Sequence, residues 1–92
     1  MKGRVVSVSK DRQRVVVECA PTLLAGNVIY SVIQLWKALE PTACHSFTGD
    51  LARLGPGQMR DSERKHYLMT VHALFWIRDD ATNVLECEFR AV

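Results

Sequence analysis

The sequence reads as a small α+β domain: an antiparallel four-stranded sheet made of two hairpins, with one main helix packed on it, in the order β-β-α-(short helical or irregular)-β-β. Three patterns carry that reading. β-branched runs lie near the amino terminus, apolar residues at helix spacing occupy 28–39, and strict alternation over 66–78 is followed by Leu85, Cys87 and Phe89. A sheet with one apolar face and a helix with one apolar stripe must cover each other, which is an α+β layer solution. Ninety-two residues suit a single domain spanning 1–92, with no internal repeat, linker or low-complexity segment. At this size roughly two-thirds of the extended chain's surface is buried on folding, so no disulfide or metal staple is needed.

The first hairpin is formed by Arg4–Ser9 and Arg14–Cys19, separated by Lys10-Asp11-Arg12-Gln13. Val6 and Val8 share one face of the first strand; Val15, Val17 and Cys19 share one face of the second. Turning both sets inward demands cross-strand pairs with an odd residue sum, such as Val8 with Val15, and leaves Asp11-Arg12 exposed at the tip. Next, Val28, Ile29, Val32, Ile33, Trp36 and Leu39 fall at helix spacing, with Asn27 as cap and Glu40-Pro41 as stop. The β-branched residues keep a strand alternative open, but Gln34–Leu39 uses good helix formers and favours helix, which makes Trp36 a core residue. Leu23–Ala25 adds a turn before it.

From 42 to 65 the signals are turns. Thr48-Gly49-Asp50 starts a short helix through Leu54, Gly55-Pro56-Gly57 ends it, and Ser62–Lys65 offers a further helix start. Tyr67, Met69, Val71, Ala73, Phe75 and Ile77 then alternate along one long strand over 66–78. Leu85, Cys87 and Phe89 continue its inward face, which pairs Phe75 with Cys87 and Ile77 with Leu85 across a loop of odd length.

Hydrophobic residues at 48% and charged residues at 24% exclude a disordered tail or a collagen-like chain. A net charge of +2 is far from the field of a DNA-packaging protein. The charge is uneven, however: Lys2, Arg4, Lys10, Arg12 and Arg14 face only Asp11 in the first fourteen residues, whereas Asp79, Asp80, Glu86 and Glu88 outnumber Arg78 and Arg90 near the end. Cys19, Cys44 and Cys87 are an odd count without a C-x-x-C pair, which fits a reduced, cytoplasmic setting. The amino terminus lacks a signal-peptide core, and residues 15–36 carry Glu18, Pro21, Asn27 and Gln34, so a soluble chain without membrane association is expected.

Candidate chemistry is sparse. His66 and His72 share a strand face about 20 Å apart, too far for one ion. Cys44 and His45 are adjacent and point apart, and Ser46, His45 and Asp50 lack triad geometry. Glu86 and Glu88 sit about 7 Å apart on the last strand, opposite Trp76 and Leu74, without an evident pocket. Gly55-Pro56-Gly57 has no following lysine-hydroxyl pair to complete a phosphate loop. The expectation is therefore no cofactor, no metal and no catalytic residue: a non-enzymatic binding protein.

Two surfaces stand out. The first is basic: Lys10, Arg12 and Arg14 at the hairpin tip, and Arg60, Arg64, Lys65 and His66 before the long strand, suited to phosphate contacts without base readout. The second is apolar: Leu68, Leu74 and Trp76, with His72 among them and Val16 and Val84 extending it, on the outward face of the long strand. Either it meets a partner, or Phe47, Leu51 and Leu54 fold over it.

In size and in its stand-alone, motif-free character the chain resembles phage-encoded inhibitors such as anti-CRISPR proteins, which occupy surfaces on nucleoprotein machinery. The Trp-centred patch and the Arg clusters suit docking on a protein or nucleoprotein complex through Arg12, Arg14, Arg60, Arg64, Lys65, Leu74 and Trp76, as a monomer or small homo-oligomer. The resemblance, which no residue motif carries, adds the expectation that docking blocks or modulates the partner. The alternative is a small nucleic-acid-binding protein that uses the same basic groups on an RNA or DNA backbone. A small enzyme ranks third.

Overall fold

The computed structural model describes residues 2–19, 28–39, 46–61 and 63–87, the side chains of Glu86 and Cys87 excepted. Among these the chain forms β1 (Lys2–Val8), β2 (Arg14–Cys19), β3 (Ile29–Leu35), β4 (Ser46–Gly49), β5 (Gly55–Asp61), β6 (His66–Phe75) and α1 (Arg78–Cys87). The expected open four-stranded sheet is replaced by a closed six-stranded antiparallel barrel in the order β1-β2-β3-β6-β5-β4. β1, β2 and β3 form a meander, and β4 returns beside β1, which is Greek-key connectivity. Among the described residues every strand pairs on both sides, although the short β4 covers only Lys2–Arg4 of β1 and Met59–Asp61 of β5, and side chains fill a barrel of this size.

The first hairpin keeps the expected Val8–Val15 pair, but the register shifts between Val5 and Ser7. Val6 occupies that bulge. Val5 and Val8 therefore point into the barrel with Val15, Val17 and Cys19, while Val6 turns outward. Gly3 on the same strand is required by close packing, since a Cβ there would lie 2.5 Å from Val17 Cγ1 and 2.8 Å from Leu51 Cδ1.

Residues 29–35, expected to be helical, are strand β3, paired with both β2 and β6. Ser31, Ile33 and Leu35 are buried with the barrel interior on one side, and Tyr30 and Val32 pack outside under α1. A strand buried on both faces carries apolar residues at both parities, and such a run satisfies helix spacing by coincidence. Asn27, Glu40, Pro41 and Leu23–Ala25 lie outside the described residues.

The segment expected to be turns and short helix supplies β4 and β5 instead, with Phe47, Leu51 and Met59 inside the barrel. Gly55-Pro56-Gly57 extends along β5 because β4 reaches only Met59–Asp61, so the missing N–H of Pro56 falls on the side where no strand continues. Gly49 allows the close approach of β4 to β5: a Cβ there would meet Gln58 O at 2.3 Å.

β6 ends at Phe75 instead of running to 78, and its register against β3 shifts at His72. The extra residue inverts the alternation. Tyr67, Met69 and Val71 point inward, but beyond the bulge Leu74 packs on the interior, and Ala73 and Phe75 face outward. The expected last strand is helix α1, so the Phe75–Cys87 and Ile77–Leu85 pairs do not form, and Glu86 stands on a helix. Asp79 and Asp80 favour the positive end of the helix dipole, and Ala81, Val84 and Leu85 recur at helix spacing to cover Val16, Val32, Phe75 and Val6. Arg78 Nη2 donates to Val6 O at 3.1 Å and ties the helix to the bulge. The expected outer stripe does not stay together: Val16 is covered by α1, which itself carries Val84, Leu74 turns inward, and Leu68 and Trp76 remain exposed. Phe47 and Leu51 lie inside the barrel instead of folding over them. Phe89 and Glu88 lie outside the described residues.

Candidate functional site

Strand direction decides which loops share an end. β1, β3 and β5 run one way and β2, β4 and β6 the other, so the β1–β2 hairpin, the β5–β6 hairpin and the chain leaving β3 emerge at the same end of the barrel. The two basic clusters, some fifty residues apart in sequence, therefore border one rim. Lys10, Lys37, Arg60, Arg64 and Lys65 are exposed there, and Arg12 and Arg14 are half-buried. Among the described residues the acidic groups at this end are Asp11, Asp61 and Glu63.

The two hairpins share a turn bonded from the fourth residue to the first, although the first loop is one residue longer than the second. In the first, Arg12 N donates to Ser9 O at 3.1 Å and Ser9 N to Arg14 O at 2.9 Å; in the second, Arg64 N donates to Asp61 O and Asp61 N to Lys65 O, both at 3.1 Å. Each closes with an arginine in the left-handed region, Arg12 at φ 60° and Arg64 at φ 67°, and these are the non-glycine residues with positive φ among those described. An aspartate organises each turn through its backbone. Asp11 Oδ1 accepts from Ser9 Oγ and from Gln13 N at 3.0 Å, and Asp61 Oδ1 accepts from Glu63 N and Lys65 N at 2.9 Å. The Ser9 hydroxyl, the Gln13 amide and the nearby Arg14 charge hold the Asp11 carboxyl below its ordinary range.

The expected exposure of Arg12 and Arg14 is only partial. Arg12 Nε donates to Leu39 O at 2.6 Å, and Leu39 N donates back to Arg12 O at 2.6 Å, so this arginine pins the chain that leaves β3. Arg14 Nε donates to Gln34 Oε1 at 3.2 Å, and its Nη1 lies 3.6 Å from Asp11 Oδ2. Lys65 Nζ lies 5.7 Å from the Tyr67 ring centroid, beside the barrel mouth. Arg60 and Arg64 extend from the neighbouring hairpin.

Trp36, expected in the core, is 68% exposed on this rim. Its parity along β3 matches the outward Tyr30, Val32 and Gln34, and it lies at the rim of β3 just past Leu35. Trp36 N donates to Leu68 O at 3.1 Å, and Leu35 N to Gln13 O at 2.6 Å, which fixes the backbone between the two arginine hairpins. The 51% exposed Leu68 follows on the adjacent strand. Reading 29–35 as a two-sided strand would have placed Trp36 outward; that was the available signal.

The apolar candidates separate. Leu74 packs on the barrel interior, whereas Trp76 and Ile77, 68% and 58% exposed, follow β6 at the opposite end. Cys19 is a free buried thiol whose pKa is raised by burial, with Sγ 3.8 Å from Ser31 Oγ. Cys44 and His45 lie outside the described residues. Among the described residues no three His, Cys, Asp or Glu side chains group closely enough to hold a metal ion, and no helix is long and apolar enough to cross a membrane.

No family model, characterised protein or solved structure matches this chain.

Proposed function

We propose that this chain is a non-enzymatic binding module that docks a polyanionic macromolecule, a nucleic acid or the nucleic-acid face of a nucleoprotein, on the basic end of its barrel. The supporting observation is the convergence at one rim of two basic hairpins, each with an arginine in a left-handed position. Such a position costs a non-glycine residue about 1–2 kcal/mol; at Arg12 the bond to Leu39 O offsets it, whereas the Arg64 side chain is exposed at the rim, where it can meet a ligand. Guanidinium and ammonium groups around a rim suit phosphates by charge and by bidentate geometry.

The reading predicts that the purified protein carries nucleic acid, seen as excess absorbance at the nucleobase band, and that nuclease with high salt removes it. Lys37→Glu with Arg64→Glu should abolish that retention with the fold intact, because both side chains are exposed. Retention by the double variant equal to that of the wild type would remove the basic end from the mechanism.

A second reading, docking on a protein partner, is supported by Trp76 and Ile77 at the other end. Two adjacent large apolar side chains left in water are the kind of anchor that carries binding energy. Here Trp76→Ala should weaken partner capture and leave nucleic-acid retention unchanged. Occupying a partner's surface in this way would block or modulate it.

A further inference from the structure

Resting on that reading, we propose that the basic end takes single-stranded nucleic acid, with one base stacked on the Trp36 indole between phosphates held by the two hairpins. The indole is exposed while its backbone is fixed: Trp36 N is bonded to Leu68 O, and the preceding Leu35 is only 1% exposed. β3 lies between β2 and β6, and adjacent strands are about 4.8 Å apart. The ring therefore stands one strand from each cationic hairpin, with Lys37 directly after it. Leu68 widens the apolar floor on one side.

This arrangement distinguishes between nucleic acids. A duplex keeps its base faces stacked against one another and would offer the rim only phosphates, leaving Trp36 in water. Extracting a base from it costs a few kcal/mol. A single strand presents every base face, and stacking on an aromatic ring needs no particular base, so an aromatic platform flanked by cations is matched to an unpaired strand.

Trp76→Phe leaves Trp36 as the sole tryptophan and permits a direct optical test. That variant is titrated with an oligothymidylate of about a dozen nucleotides, within the known range of single-strand site sizes, and with a blunt duplex of equal length. The single strand should quench Trp36 fluorescence and bind more tightly than the duplex. In the otherwise wild-type chain, Trp36→Ala should weaken single-strand binding by about 10- to 100-fold, with Trp36→Phe largely restoring it and the thermal midpoint unchanged. Equal affinity for both probes, with Trp36 fluorescence unmoved and Trp36→Ala silent, would overturn the stacking proposal. If Arg64→Glu still weakened both probes in that case, the basic-end reading would stand without it. If neither probe bound, both would fall.

Discussion

Arg64 occupies a backbone conformation in which glycine is at ease, and its side chain is exposed. Arg64→Gly should therefore leave the protein equally stable or raise stability by up to about 1–2 kcal/mol, while weakening binding. Chemical denaturation beside a binding assay separates the two effects, and a clear loss of stability would show that the side chain holds the turn. Arg12 differs, because its Nε bond to Leu39 O makes it part of the barrel end. Trp36→Ala should change stability by less than about 0.5 kcal/mol, as an exposed substitution does. Gly3→Ala should destabilise by about 1–3 kcal/mol, since the new methyl group collides with Val17 and Leu51. Asp11 gives a pH signature. Its carboxyl is held below the ordinary value of 3.8, so its contribution to the hairpin is fully present above that value and is lost as pH falls through its lower folded value. The Gln13 amide resonance should report that transition by NMR, and a midpoint at or above the ordinary value would contradict the hydrogen bonds drawn to Asp11.

Elements explain what the sequence revealed and what it concealed. The β1–β2 hairpin was legible because its turn chemistry is local, with Asp11 closing the loop that lacks glycine. β3 was concealed by its own burial: with barrel interior on one face and α1 on the other, Ile29 to Leu35 has no polar face to reveal period two. The alternation through Ile77 misled for the opposite reason, since the bulge at His72 inverts the faces without altering the pattern of residue types. α1 was masked by the alternation of Leu85, Cys87 and Phe89, although Ala81, Val84 and Leu85 already carried helix spacing behind two aspartates. Because Leu85 anchors this helix with 4% exposure, Leu85→Ala should destabilise by about 2–5 kcal/mol in denaturant unfolding. A neutral result would mean that α1 is not docked as described.

At the scale of the whole molecule, the site exists only because the barrel closes. The cations around Arg12 and Arg64 were visible as two basic clusters, but nothing local states that β1 and β5 run in the same direction. The β1–β4 and β3–β6 pairings are set by closure and by a long connection, information that neither periodicity nor turn residues contain. Trp36 joins the site for the same reason, through the position of β3 between β2 and β6. The proposed phosphate-binding surface spans two hairpins that are distant in sequence. Its most direct test is the salt dependence of binding to a single-stranded oligothymidylate for the wild type, Lys10→Ala, Arg64→Gly and the double variant. Each single change should flatten the slope of log affinity against log salt by about 0.7, and the double variant should show the sum of the two. Slopes identical to the wild type, or a response to only one hairpin, would contradict a shared basic surface.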